Sequence, residues 1–254
     1  MLAGPEGLAG RGAPAGPAAL AGPGALGGPG LLAGLLPAGA VGADDGADGT
    51  APPWPGEEDL VGATIATAGS RHQSIQARAC ARRALALLGE EPCPLPRSSS
   101  GAPVWPPGIV GALTHTAGYR AAVVARSSAH LGLGVDAEAA RDLPDDLVRT
   151  FARPRELERL ARLRADRHPS SALLPLALFT AKEAAFKAWF PATGVWLGPT
   201  AAEVVLRGRS AFEVVPVLAG GRPPLRLRGR WALRCGLVLA VARLERAAPR
   251  MLIE

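Results

Sequence analysis

The chain has 254 residues, with 28 Lys and Arg against 22 Asp and Glu, a formal net charge of +6 and a pI of about 10.2. That length can bury a sizeable core, as one large domain or two small ones, and the charge favours anionic partners: a phosphorylated small molecule, an acidic protein or nucleic acid. Three widely spaced cysteines without a C-x-x-C or Cys/His set argue against a disulfide framework or structural zinc, and fit a reducing cytoplasm.

Residues 1–30 are Ala/Gly/Pro/Leu low complexity without aromatic or β-branched residues to pack, so a disordered leader is expected there. Residues 12–43 carry no charge. Gly and Pro interrupt them throughout, however, leaving neither an 18-residue apolar run for a membrane span nor a compact apolar region for a signal peptide. Residues 42–56 read as a loop with an acidic patch. Glu57 to Gly89 reads as helix, its second half rich in helix formers and closed by a glycine suited to a C-cap. Residues 90–108 form a long Pro-rich connection, and a loop of that length inside a compact domain is often functional.

Next come residues 111–119, which hold Thr114-His115-Thr116, then an apolar strand over 120–125 and a second strand over 131–138. Pro144 to Arg164 is charged and amphipathic, and Leu173 to Phe190 reads as a more buried helix stopped by Pro191. Four short β-rich runs follow, at 204–207, 212–218, 225–233 and 236–243, separated by Gly or Pro turns. Helix, strands, helices, strands is the order of an α+β protein.

Candidate site residues cluster in two elements. On the strand 131–138, Gly132, Gly134, Asp136 and Glu138 share one face because side chains alternate. One reading is a solvated strand end with two exposed acids. The other is a face whose glycines admit a bulky ligand beside a divalent cation, since Mg²⁺ takes a few carboxylates together with phosphate oxygens. The second element is the run FTAKEAAFKA at 179–188, which holds Lys182 and Lys187, the only lysines in the chain. Glu183 and Lys187 are i, i+4 and meet on one helical face. They are either a surface pair worth about 0.3–0.5 kcal/mol or, in so apolar a segment, charges kept for a ligand. His115 alone reads as a hydrogen-bonded core residue, or with Thr114 as a holder of phosphate oxygens. Arg78 and Arg82, with Arg71 one heptad earlier, form a basic stripe that is either solvated or an anion site.

Taken in order, the run GVDAE at 134–138 followed by FTAKEAAFKA at 179–188 resembles the paired signature of the 4′-phosphopantetheinyl transferases of the surfactin- and enterobactin-synthetase type. The segments ACARRALALLG at 79–89, PVWPPGIVGALTHTAGYRAA at 103–122 and WFP at 189–191 are similar to the enterobactin-like branch, and the resemblance spans about residues 31–254. It implies two similar α/β halves related by pseudo-twofold symmetry with the site between them, here at 31–140 and 141–254, and does not extend to the leader over 1–30. It also implies transfer of the phosphopantetheine arm of coenzyme A to a serine of an apo acyl or peptidyl carrier protein, releasing adenosine 3′,5′-bisphosphate. Asp136, Glu138 and Glu183 would hold Mg²⁺ or Mn²⁺, with Glu183 also a candidate base. Lys187 would contact CoA phosphate, as would Thr114 and His115, with Lys182 a motif member and Arg71, Arg78 and Arg82 contacts for the 3′-phosphate. A cytoplasmic monomer that binds neither membrane nor nucleic acid is expected.

Three positions depart from the family pattern: Ala112 stands where serine is usual, Glu-Phe is replaced within RHQSIQ at 71–76, and residues 98–102 lack the usual Arg or Lys, leaving Arg97 nearest. They motivate an alternative, a catalytically weak CoA- or carrier-binding module. A nucleic-acid-binding protein is the third reading, permitted by charge but without basic–aromatic interleaving or a DNA-reading motif.

Overall fold

A computed structural model describes residues 30–46, 51–55, 57, 68–165, 171–217 and 225–246. The leader expected over 1–30 lies outside the described residues up to residue 29, as do residues 58–67 of the predicted first helix and part of the predicted loop 42–56.

The first described helix, α1 (Ala68–Leu87), is rich in Ala, Arg and Leu and ends where Gly89 takes a left-handed backbone (φ +82°). It lies on a three-stranded antiparallel sheet of order β1-β3-β2, formed by β1 (Ala40–Asp45), β2 (Ile109–Thr116) and β3 (Tyr119–Arg126). Two of these strands were not expected. Residues 42–45 of β1 belong to the sequence read as an acidic loop. They form an edge strand because Asp44 has inward partners: it accepts from the Leu31 amide (2.7 Å) and the Tyr119 hydroxyl (2.9 Å). Thr114 and His115 lie inside β2, not ahead of a strand. Gly111 masks β2 in the sequence, yet it is there for packing, since a Cβ would press on the Trp105 ring and Val123 O.

The second sheet has five antiparallel strands in the order β4-β8-β7-β6-β5. These are β4 (Gly132–Ala139), β5 (Ala202–Arg207), β6 (Ala211–Pro216), β7 (Leu225–Arg234) and β8 (Leu237–Arg246). The amphipathic stretch after β4 divides into α2 (Asp145–Phe151) and α3 (Pro154–Ala165), because Pro154 starts a new helix at a position that needs no amide donor. The buried helix α4 (Leu174–Thr193) runs past Pro191, which sits in its last turn, and stops at Gly194 in a left-handed conformation (φ 68°). A proline there forgoes one i→i−4 hydrogen bond without breaking the turns before it.

Each half is thus one long helix on one antiparallel sheet, an α+β architecture. A core of Leu133, Val135, Ala137, Leu239 and Val241 from the second sheet packs on Ala112, Ala121 and Val123 of the first and joins them. By hydrogen bonding β4, the last strand of the expected 31–140 half, belongs to the second sheet. The strand pairs along its whole length with β8, from Gly132↔Leu244 to Ala139↔Leu237.

One turn carries a testable strain. β7 and β8 pair up to Arg234↔Leu237, leaving the two-residue loop Cys235-Gly236 with φ of 47° and 72°. Cys235 is the only non-glycine residue with positive φ among those described. Two-residue hairpins of this kind favour Asn-Gly. Cys235→Asn is therefore expected to raise stability by about 0.5–1 kcal/mol, read as a higher denaturation midpoint at unchanged m-value.

Candidate active site

Helix α4 lies directly across β4, and the two glycines of the strand permit it. A Cβ on Gly132 would overlap the Ala188 carbonyl oxygen, and one on Gly134 would overlap that of Ala184. The expectation that these glycines open a face to a ligand is therefore corrected: they are filled by helix backbone. Moving backbone is costlier than moving a side chain, so Gly134→Ala is expected to destabilise by roughly 2–3 kcal/mol or more, measurable by thermal melting.

Close packing brings the charged residues of the two motifs together. Lys187 donates to Asp136 Oδ1 (2.7 Å) and to the Val135 carbonyl (3.1 Å). Thr114 donates to the same Asp136 oxygen at 3.2 Å. Asp136, 6% exposed, thus ties β2 of the first half to β4 and α4 of the second. Its Oδ2 is buried and has no partner.

Glu138 and Glu183 complete a field of like charge. Burial and the charge of Asp136, with Glu183 adding to it, push the Glu138 carboxyl up to about 7 against the pull of Arg141 and Lys187. Burial and Asp136 also raise Glu183, and Lys187 opposes them. A nearby cation would relieve both. As the side chains stand, no three His, Cys, Asp or Glu residues among those described gather closely enough to form a ligand set. Lys187 supplies the local positive charge instead.

Thr114 and His115 point to opposite faces of β2. His115 pairs across the hairpin with Arg120. Desolvation, then the positive charge of Lys187, with Arg120 and Arg78 adding to it, lowers the imidazole to about 4 against the pull of Asp136. The ring keeps open surface, and the direction, towards the neutral form, follows from the cations alone.

The remaining predicted residues are placed differently. Lys182 faces away from this group: its Nζ donates to Glu156 Oε1 (2.9 Å) and to the carbonyls of Pro199 and Ala202 (both 2.8 Å). Arg82 is paired with the fully buried Glu57 at 2.5 Å and stacks over Trp54 at 4.7 Å. Arg78 is buried and donates to Leu95 O (2.7 Å) and to the Ser74 hydroxyl (2.6 Å). Arg71 is exposed near the start of α1. The basic stripe is therefore mostly interior, and its residues fold the 90–108 connection onto α1.

Three residues of this region carried no obvious sequence signal: Glu57, Glu156 and Arg120. Arg120 could have been found, because the turn Ala117-Gly118 between two apolar runs sets it opposite His115.

Comparison with known proteins identifies the family. Residues 57–125 match the 4′-phosphopantetheinyl transferase N-terminal domain, and residues 132–236 match the 4′-phosphopantetheinyl transferase superfamily. The chain is 40% identical over 196 residues to the 4′-phosphopantetheinyl transferase PptT of Mycobacterium tuberculosis, covering 74% of this chain and 84% of that protein. It is 38% identical over 198 residues to the 4′-phosphopantetheinyl transferase Npt of Nocardia iowensis, covering 73% and 86%. Against the 4′-phosphopantetheinyl transferase Svp of Streptomyces mobaraensis it is 42% identical over 173 residues, covering 66% and 70%. With both halves matched in order, and the junction at Asp136 built from residues of both, the chain belongs to the 4′-phosphopantetheinyl transferase superfamily.

Proposed function

We propose that this chain transfers the phosphopantetheine arm of coenzyme A to a serine hydroxyl of an apo acyl or peptidyl carrier protein, with a divalent cation, Mg²⁺ or Mn²⁺, as cofactor. The observation that carries the reading is the junction at Asp136, where a half-buried ammonium, a hydroxyl and three carboxylates from both halves share one electrostatic field. In the reaction the serine oxygen bonds to the β-phosphorus of CoA, the bond from that phosphorus to the bridging oxygen breaks, and adenosine 3′,5′-bisphosphate leaves.

Asp136, Glu138 and Glu183 are the residues that would hold the cation. The donor chemistry fits: three carboxylates, two of them raised first by burial and then by the charge of Asp136, and one buried carboxylate oxygen without a partner. When bound, the cation neutralises charge on the pyrophosphate. Lys187 already stands against Asp136 and would bind a phosphate oxygen as a point charge. Neutral His115 and the Thr114 hydroxyl would orient further oxygens by hydrogen bonding. Glu183 is the candidate to accept the serine proton, since its raised affinity for protons moves it towards the working range of a general base. Positioning and charge neutralisation are what phosphoryl-type transfer asks of a protein.

No helix among the described residues is long and apolar enough to cross a membrane. A monomeric cytoplasmic enzyme remains the expectation. The decisive experiment incubates the protein with CoA, Mg²⁺ and a panel of apo carriers, and looks for the phosphopantetheine mass shift. The shift is expected, and chelation with EDTA is expected to remove it. CoA binding without transfer to any carrier would instead support the weakly catalytic binding module, which Ala112 and the altered residues 71–76 motivate. Lys187→Arg is expected to lower transfer by about tenfold or more, because a planar fork cannot replace a point charge in this crowded site.

A further inference from the structure

Asp136 is closed at both of its oxygens. Oδ1 accepts Lys187 Nζ at 2.7 Å and the Thr114 hydroxyl at 3.2 Å, which takes up both lone pairs of that oxygen. Oδ2 is buried and has no partner among the described residues. One oxygen is therefore occupied, and the other is out of reach of an ion arriving from solvent. The side chain that occupies the carboxylate is the same one that would bind phosphate.

Lys187 is the part of this closure that can move. Thr114 is buried within β2, and Asp136 sits on β4, which pairs with β8 along its whole length. The Lys187 side chain keeps 30% of its surface exposed, and its charge ends a flexible four-carbon stem. Its second hold is the Val135 carbonyl at 3.1 Å. An ammonium has three N–H donors, so one is left toward the open side for an incoming anion.

The acids around the lysine are not yet assembled. Glu183 lies one turn before Lys187 on α4, and Glu138 follows Asp136 on the same face of β4. With Lys187 in place, no three acidic residues among those described gather closely enough to form a ligand set. A divalent cation and Lys187 draw on the same carboxylate and repel each other, so each weakens the hold of the other. A pyrophosphate carries more charge than one carboxylate and offers several oxygens, and it is the ligand able to draw the ammonium away.

We infer that the Lys187–Asp136 ion pair guards the carboxylate set: it keeps divalent cations off the CoA-free protein, and the pyrophosphate of CoA opens Asp136 to the cation by taking Lys187 from it. CoA and the cation then bind with positive coupling, each tightening the other by the same factor. The inference rests on the proposed use of CoA and a divalent cation, and adds an order to it: CoA before the cation.

The test titrates Mn²⁺ calorimetrically into the parent, Lys187→Met and Lys187→Arg, without CoA and with saturating CoA, and with no carrier present. A titration of Mn²⁺ into CoA alone is subtracted. Without CoA, Lys187→Met is expected to bind Mn²⁺ about tenfold or more tighter than the parent, and its CoA-induced gain is expected to shrink by a similar factor. Lys187→Arg keeps the charge against Asp136 and is expected to stay within about threefold of the parent without CoA. If Lys187→Met does not fold, Lys187→Gln removes the charge, keeps an N–H donor for Asp136, and is expected to show the same gain. A neutral variant that folds and binds Mn²⁺ no tighter than the parent would overturn the inference, as would an equal gain in Lys187→Arg. A tighter Mn²⁺ site in Lys187→Met together with no transfer by the parent to any carrier would leave the guarding role standing and remove the transferase reading. Transfer without that gain would do the reverse.

Discussion

Asp136→Asn is expected to lower phosphopantetheine transfer by roughly a thousandfold or more while the protein stays folded. The reasoning starts from geometry. Asp136 Oδ1 receives both Lys187 and Thr114, and Oδ2 is buried without a partner. Asparagine keeps the shape and can still accept one hydrogen bond. It removes the negative charge that, on the proposed function, holds the cation with Glu138 and Glu183. Loss of several kcal/mol of charge stabilisation in the transition state corresponds to about three powers of ten. Stability should move little, because two effects oppose each other. The substitution costs the Lys187 ion pair and relieves the repulsion that raises Glu138 and Glu183. Transfer rates against an apo carrier, set beside a thermal melt, check both halves of the prediction. A variant that keeps activity within about tenfold of the parent would remove Asp136 from the cation set.

The second large effect concerns folding. Glu156→Ala is expected to destabilise the protein by about 3–5 kcal/mol, a fall in melting temperature of roughly 10 °C or more at this chain length. Glu156 is 1% exposed. It receives Lys182 Nζ (2.9 Å) and the Val204 amide (2.6 Å) on one oxygen, and the Arg153 amide (2.6 Å) on the other. Removing it strands a buried ammonium and two amides. The same geometry decides what to expect of Lys182. With all three donors committed to Glu156, Pro199 and Ala202, the lysine locks α4 against α3 and β5. Lys182→Met should therefore lower the melting temperature while leaving the KM for CoA within about twofold of the parent when assayed well below the transition. A large rise in that KM would return Lys182 to the ligand-binding set.

Much of this was readable from residue types and spacing. Period-two alternation from 131 to 138 placed Asp136 and Glu138 on one face, and i, i+4 spacing placed Lys187 beside Glu183. The four C-terminal runs correspond to β5 to β8. These signals are local, and local geometry is what short sequence windows encode. β1 and β2 were lost for the complementary reason. Their acids and glycines have weak strand preference, and long-range partners hold them in place: Leu31 and Tyr119 for Asp44, Trp105 and Val123 around Gly111.

The sequence by itself determined which chemical groups are available: three carboxylates, two lysines and a positive charge otherwise carried by arginine, in an order that names the family. Tertiary structure decided what each group does. It turned Gly132 and Gly134 from a ligand-facing surface into the seat of α4, and this contact is what carries Lys187 to Asp136. It also separated the two lysines, which five residues on one helix could not do alone. Packing on opposite sides of α4 gives Lys182 a buried carboxylate and two carbonyls, and gives Lys187 an open face toward the site. Charge type is written in the chain; desolvation and neighbours, which set the worth of a charge, exist only once the two halves meet.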